Sequence, residues 1–114
     1  RMVRAVDSCG VRSGRDIDKF DVYGFDRFAC EGLECPGVVQ SPLSLACKVR
    51  QVLPLGSHEM FLAEIVGVYA DRELLDGAGK LHLDRAGLAA YAHGEYFGLG
   101  AGLGTFGFSV RKKR

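Results

Sequence analysis

The segment from residue 9 to residue 20, CGVRSGRDIDKF, carries the residue types best suited to chemistry in this sequence. Within it, Ser13-Gly14-Arg15-Asp16 has the Ser-x-x-Asp form of a capping box, which predicts a short helix from Ser13 through Phe20. Three cations flank that predicted helix start: Arg12, Arg15 and Lys19. Exposed N–H groups and the helix dipole favour negative charge, so the segment is a candidate phosphate or anion site. An ordinary surface helix of mixed charge explains the same residues equally well.

The histidines and cysteines form no pattern that is typical of a catalytic or zinc site. His82 alternates with leucines and is predicted to be exposed, while His58 opens a strand directly after a turn. A lone histidine is structural more often than functional, and both interpretations stay open for His58 and His93. No nucleophile, base and acid are arranged together, so hydrolase chemistry has no support. The four cysteines contain no CxxC pair, and Cys47 is predicted to be a small core residue.

Two glycine-containing strings resemble nucleotide-binding motifs but lack the context that those motifs need. Residues 102–107 match GxGxxG, but only seven residues follow, too few for the helix and second strand of a dinucleotide-binding unit. Gly79-Lys80 resembles the end of a P-loop, but Leu81 stands where Ser or Thr must hold magnesium. Neither string predicts a nucleotide site.

Composition narrows the possible partners and the location. The 114 residues suit one domain, and 15 basic against 14 acidic residues leave a net charge of +1. That balance argues against nucleic acid as a partner, which requires a basic face. There is no apolar run of about 18 residues and no secretory signal pattern, which predicts a cytoplasmic protein without a membrane partner. The opening Arg1-Met2-Val3 reads like the middle of a longer chain.

The elements that position these residues are predicted to be mainly β. Residues 43–53 and 58–70 are rich in β-branched and aromatic residues and flank a Pro-Leu-Gly-Ser turn, which predicts an antiparallel hairpin. Long antiparallel strands with little helix indicate a barrel or a sandwich. The remaining predictions are a helix over residues 1–9 stopped by Gly10, a loop over 21–37, a helix over 86–91 capped by Asp84, and a strand over 105–110.

Four segments, taken in order, resemble the flavin reductase-like family that includes flavoredoxins and related ferric reductases. They are CGVRSGRDIDKF, SPLSLACKV, PLGSHEMFLAEIVGVYAD and YAHGEYFGLG, and they extend over nearly the whole chain. The resemblance implies a Greek-key FMN-binding split β-barrel that forms a homodimer with FMN near the dimer interface. It also implies that residues 1–114 are the C-terminal part of one such domain, without the N-terminal strands.

The resemblance further implies a function and a site. Family members pass electrons from NAD(P)H or a protein donor through FMN to a flavin, ferric or similar small-molecule acceptor. The alternative is a split-barrel protein that binds flavin without turnover. The cofactor performs the redox step, so no catalytic acid or base is required. The flavin contacts carried over from the family are Lys19, His58 and Tyr91, together with the loop residues Ser13, Gly14 and Arg15.

Overall fold

The computed structural model describes residues 2–112, which are mainly β, as the sequence predicts. Its elements are α1 (Val3–Val11), α2 (Lys19–Tyr23), β1 (Arg27–Ala29), β2 (Pro36–Val38), β3 (Leu43–Pro54), β4 (Glu59–Ala70), β5 (Ala89–Ala92) and β6 (Glu95–Gly98). Short 3-10 turns occur at Arg72–Leu74, Leu83–Arg85 and Phe108–Val110. The strands pair antiparallel in three sheets, β1 with β2, β3 with β4 and β5 with β6. No helix in the described part of the chain has the length and apolar character needed to cross a membrane.

The hairpin of β3 and β4 confirms the strongest prediction made from the sequence. Pairing begins with Leu43 opposite Ala70 at the open end and finishes with Pro54 opposite Glu59 beside the turn. Each strand has twelve residues and therefore extends for about 36 Å. The turn between β3 and β4 therefore lies about 36 Å from the open end of the hairpin.

Two β-bulges change which side of the hairpin the following side chains occupy. Val66 on β4 and Arg50 on β3 have no opposite residue in the strand pairing, so the register shifts at each of these points. Alternating apolar residues on β3 run as far as Val49 and then resume at Val52, one position out of phase. Because the bulge absorbs one residue, Val52 faces the same side as Val49.

As a result, the side chains on one side of the hairpin are all apolar from the Leu43–Ala70 pair to the Val52–Phe61 pair, and we call this the apolar face. The opposite side carries the ion pair of Arg50 with Glu64. Most large side chains of the apolar face are between 42% and 58% exposed, so the described residues leave about half of their surface uncovered. The apolar face consists of Leu43, Leu45, Cys47, Val49, Val52, Phe61, Ala63, Ile65, Val68 and Ala70.

The small core lies at the open end of the hairpin. Among the described residues, the buried apolar side chains are Cys30, Ala46 and Leu74. The ring of Phe28 on β1 packs 5.1 Å from that of Tyr69 on β4, and the Tyr69 hydroxyl accepts a hydrogen bond from the N–H of Glu31. These contacts join the β1–β2 sheet to β3 and β4. Cys47 is only half-buried, so its predicted core position is wrong.

The predicted helix from Ser13 to Phe20 is wrong, because its start signal is used in a turn. The Ser13 hydroxyl accepts the N–H of Arg15, two residues on, and closes a local turn. The helix begins at Lys19 instead, where the Asp18 carboxylate accepts the N–H groups of Phe20 and Asp21. A five-residue helix therefore replaces the longer one.

Four other boundaries also differ from prediction. Gly10 lies within α1 rather than ending it, and the segment over 21–37 contains β1 and most of α2 rather than only loop. The predicted helix over 86–91 is wrong, since β5 pairs with β6 through a His93-Gly94 turn in which both residues have positive φ. The predicted strand over 105–110 is wrong as well, because Gly107 adopts a left-handed conformation before a 3-10 turn.

A compact loop follows β4 and is organised by Asp76. Its carboxylate accepts the N–H groups of Ala78 and Lys80, and lies 2.8 Å from Nε2 of His82. The His82 side chain is 20% exposed, so the prediction that it is exposed is wrong. The hydrogen bond from His82, followed by that from Lys80, lowers the pKa of Asp76 to about 2.

We expect acid to open this loop only at a pH well below the usual pKa of an aspartate. A folded-state pKa lowered to about 2 makes the loop most stable above about pH 4, and this stability is lost as pH falls towards 2. Carboxyl NMR titration should give a midpoint near 2 for Asp76. The Asp76→Asn variant should exchange its Lys80 amide hydrogen faster at neutral pH. A midpoint near 4 would contradict the role given to these hydrogen bonds.

The packing around Phe28 predicts a stability difference between two glycine substitutions. A Cβ at Gly37 would lie 2.2 Å from the Phe28 ring, which also packs against Tyr69. We expect Gly37→Ala to reduce the free energy of unfolding by about 1–3 kcal/mol, as overpacking does. The control Gly10→Ala meets open space within α1 and should be neutral or stabilising by up to about 1 kcal/mol. Thermal melting of both variants, followed by circular dichroism, checks this, and equal melting temperatures would contradict it.

Candidate functional site

The connection between α1 and α2 brings together four of the six residues predicted to contact flavin. A surface depression of about 430 Å³ is lined by residues 14–19, which include Gly14, Arg15 and Lys19. Ser13 adjoins it and fixes the turn through its bond to Arg15. The turn thus places an exposed guanidinium and an ammonium group beside the same depression.

Lys19 is held in place by the end of α1. Its Nζ donates a hydrogen bond of 2.5 Å to the carbonyl oxygen of Cys9, within the last turn of that helix. A cation is favoured there because the helix C-terminus carries partial negative charge. An ammonium group has three N–H donors, so two remain for a ligand.

A larger cleft adjoins this connection on the side of α1. It has a volume of about 870 Å³ and is lined by Met2, Arg4, Ala5, Ser8, Arg12, Tyr23, Gly24, Phe25 and Gln40. We call it the α1 cleft. Arg4 and Ser8 are spaced four residues apart and share one side of α1, and Arg12 directly follows the last residue of that helix. The sequence interpretation placed Arg12 at an anion site but missed Arg4 and Ser8, and their spacing was the available signal.

Tyr91 lies on a separate hairpin that is tied to α1. Its ring packs 5.1 Å from that of Tyr96 across the β5–β6 pair. The Tyr96 hydroxyl donates a hydrogen bond of 3.2 Å to Asp7 on α1. Desolvation, followed by this bond to Asp7, raises the pKa of Tyr96. Tyr91 itself is 67% exposed and available to a ligand.

His58 lies apart from the other predicted contacts. It sits in the turn between β3 and β4, where its carbonyl oxygen accepts the N–H of Leu55 and its Nδ1 lies 2.8 Å from the Ser57 hydroxyl. Residues of α1 approach the open end of the hairpin, where Val3 and Leu43 line a common pocket. His58 is therefore separated from α1 by about the 36 Å length of a strand. Among the described residues, the turn that holds His58 does not line the depression beside Lys19.

Comparison with known proteins connects this geometry with a family. The profile of the flavin reductase like domain matches residues 1–100. The flavoredoxin of Desulfovibrio vulgaris (Miyazaki F) superposes with a TM-score of 0.86 at 25% identity, over 96% of this chain and 60% of that one. Flavoredoxin from Methanosarcina acetivorans superposes with a TM-score of 0.81 at 26% identity, over the same shares of the two chains. No curated protein sequence matches.

A third solved structure bears on the fold alone. A Shewanella frigidimarina protein described as a flavin reductase with a split barrel domain superposes with a TM-score of 0.74 at 21% identity, over 94% of this chain and 55% of that one. The chain thus spans 55–60% of the length of these three structures and has the fold of that part of a split barrel. Because the family profile extends over most of its residues, the chain belongs to the flavin reductase-like family.

Proposed function

We propose that the protein is an FMN-dependent oxidoreductase that passes electrons from NAD(P)H or a protein donor to a flavin, ferric or similar small-molecule acceptor. The observation that carries the proposal is the match to two flavoredoxins at 25% and 26% identity over 96% of the chain. A cytoplasmic location accords with such a function. The alternative is flavin binding without turnover.

The residues beside the α1–α2 connection fit an anionic flavin. Reduction leaves negative charge around N1 and the C2 carbonyl of the isoalloxazine ring, and a nearby cation stabilises that charge. Lys19 and Arg15 supply such cations beside one depression, and Lys19 is already oriented by Cys9. Bound FMN would supply the electron-transfer chemistry, while these side chains would hold it and set its electronics.

We further propose that the complete site forms between two copies of the chain. His58 lies about a strand length from α1, so it would meet a flavin held near Lys19 only if it came from a partner. The apolar face supports such an association, because contiguous exposed apolar surface is typical of interaction surfaces. In a homodimer, the β3–β4 turn of each copy would lie over the other copy.

Reconstitution with FMN tests the proposed function. The purified protein should retain FMN through gel filtration, and it should oxidise NADH or NADPH when ferric citrate or free riboflavin is supplied. The binding-only alternative would be favoured if the protein retained FMN but accepted electrons neither from NADH or NADPH nor from a chemically reduced protein donor. Failure to retain any flavin would contradict both.

Substitution of His58 tests its place beside the flavin. A histidine that donates to the reduced flavin favours that state, so His58→Ala should lower the FMN midpoint potential. A hydrogen bond to a charged group contributes about 1.5–3 kcal/mol, which corresponds to about 30–65 mV for two electrons. Spectroelectrochemical titration measures the shift, with His93→Asn as the control because Asn tolerates the positive φ there. An unchanged midpoint potential in His58→Ala would remove His58 from the site.

A further inference from the structure

Cys30 and Cys35 stand at the two ends of the loop that joins β1 to β2. Cys30 directly follows β1, and Cys35 directly precedes β2. Both thiols are free in this structure, in which Cys30 is buried and Cys35 is exposed. We propose that these two cysteines form a reversible disulfide, which makes the β1–β2 loop a thiol–disulfide switch. The proposed flavin contacts include neither cysteine, so the inference is independent of the proposed function.

The register of the β1–β2 pair brings the two cysteines opposite each other. The strand pairing ends with Ala29 opposite Pro36. One position further along the same register is Cys30 opposite Cys35. Opposite residues of an antiparallel pair project from the same side of the sheet. The two thiols are therefore presented on one side, which is also the side of Phe28, two residues before Cys30.

The kind of pair sets the spacing between the two cysteines. Pro36 has no N–H, so its own pair is of the kind that exchanges no hydrogen bonds between the opposite residues. The two kinds alternate, so Cys30 and Cys35 belong to the kind whose Cα atoms lie about 5.5 Å apart. The hydrogen bond from the N–H of Val39 to the carbonyl oxygen of Asp26 fits the same alternation. Disulfides join Cα atoms about 4.4–6.8 Å apart, so this spacing suits one.

Local contacts hold the loop in the shape that this spacing requires. The N–H of Leu33 donates a hydrogen bond of 3.2 Å to the carbonyl oxygen of Cys30, and Gly32 supplies the positive φ of 72° inside the turn. The N–H of Glu31 donates a bond of 2.8 Å to the Tyr69 hydroxyl on β4. These bonds fix the loop before any sulfur–sulfur bond forms, so little conformational entropy is lost when it does.

The difference in exposure gives the exchange reaction an order. The thiolate of the exposed Cys35 attacks a small-molecule disulfide such as glutathione disulfide, and one glutathione leaves as its thiolate. The thiolate of Cys30 then attacks the Cys35 sulfur of the mixed disulfide and displaces the second glutathione. Two protein thiols are oxidised, one glutathione disulfide is reduced to two thiols, and their protons pass through solvent. Excess glutathione reverses both steps.

The surroundings favour a disulfide over a metal site. Within residues 2–112, no three side chains of the His, Cys, Asp and Glu types form a group that could hold a metal ion. Structural zinc takes four such ligands, and the two cysteines supply half of them. Cys9 lies in α1 and Cys47 lies within β3, and both are half-buried. These other two cysteines serve as internal controls.

Peptide mapping after equilibration with glutathione disulfide tests the bond. Free thiols are blocked with iodoacetamide, and the chain is cleaved after glutamate, which separates Cys30 from Cys35 at the two glutamates between them. We expect the two peptides to stay joined until a reductant is added, while Cys9 and Cys47 carry the alkyl group. The control Cys47→Ser should form the same bond as the parent, and Cys35→Ser should lose it.

A second measurement separates the effect of the fold from closeness in sequence. Cysteines five residues apart can also join in an unfolded chain, so the equilibrium constant against glutathione is measured in buffer and again in urea. We expect a value about ten-fold or more higher in buffer, because a bond that the fold favours also stabilises the fold. An equal or lower value in buffer would overturn the proposal. So would glutathione retained on Cys35 without the bond to Cys30.

Discussion

The antiparallel pairing of β3 with β4 is the interaction on which the other parts of this chain depend. Its open end supplies Ala46 and Tyr69, against which Phe28 and the neighbouring sheet pack. Asp71, directly after the hairpin, donates its N–H to the carbonyl oxygen of Pro42. This bond fixes the start of the following loop at the open end of the hairpin. Few side chains are buried elsewhere in the described residues, so this ladder of backbone hydrogen bonds organises more of the structure than burial does.

The same hairpin separates the predicted flavin contacts. Its open end lies beside α1, while its turn carries His58 about a strand length away. The apolar face between them remains exposed in a chain that spans 55–60% of the length of its solved relatives. If the predicted flavin contacts are correct, their spread over such distances favours the proposed site between two copies of the chain.

Local signals determined which features could be predicted from the sequence. The β3–β4 hairpin was predicted correctly because its composition and its turn agree over many residues. Ser13 and Asp84 looked like helix caps. Ser13 instead closes a turn. After Asp84, the left-handed conformation of Gly87 interrupts any helix, and the next segment pairs as β5. The cationic connection was recognised from residue types alone. The α1 cleft was not, because it depends on how Tyr23 packs against α1.

The two bulges of the hairpin offset each other, and this has a consequence for how such chains diverge. Before the first bulge and after the second the cross-strand register is the same, and only the stretch between them is displaced by one residue. A lineage that lost Arg50 or Val66 would keep every other pairing and the same inward side chains. Related sequences should therefore tolerate single-residue gaps at these two points. An alignment that placed such a gap elsewhere in the hairpin would exchange the two faces and assign the polar residues to the interior.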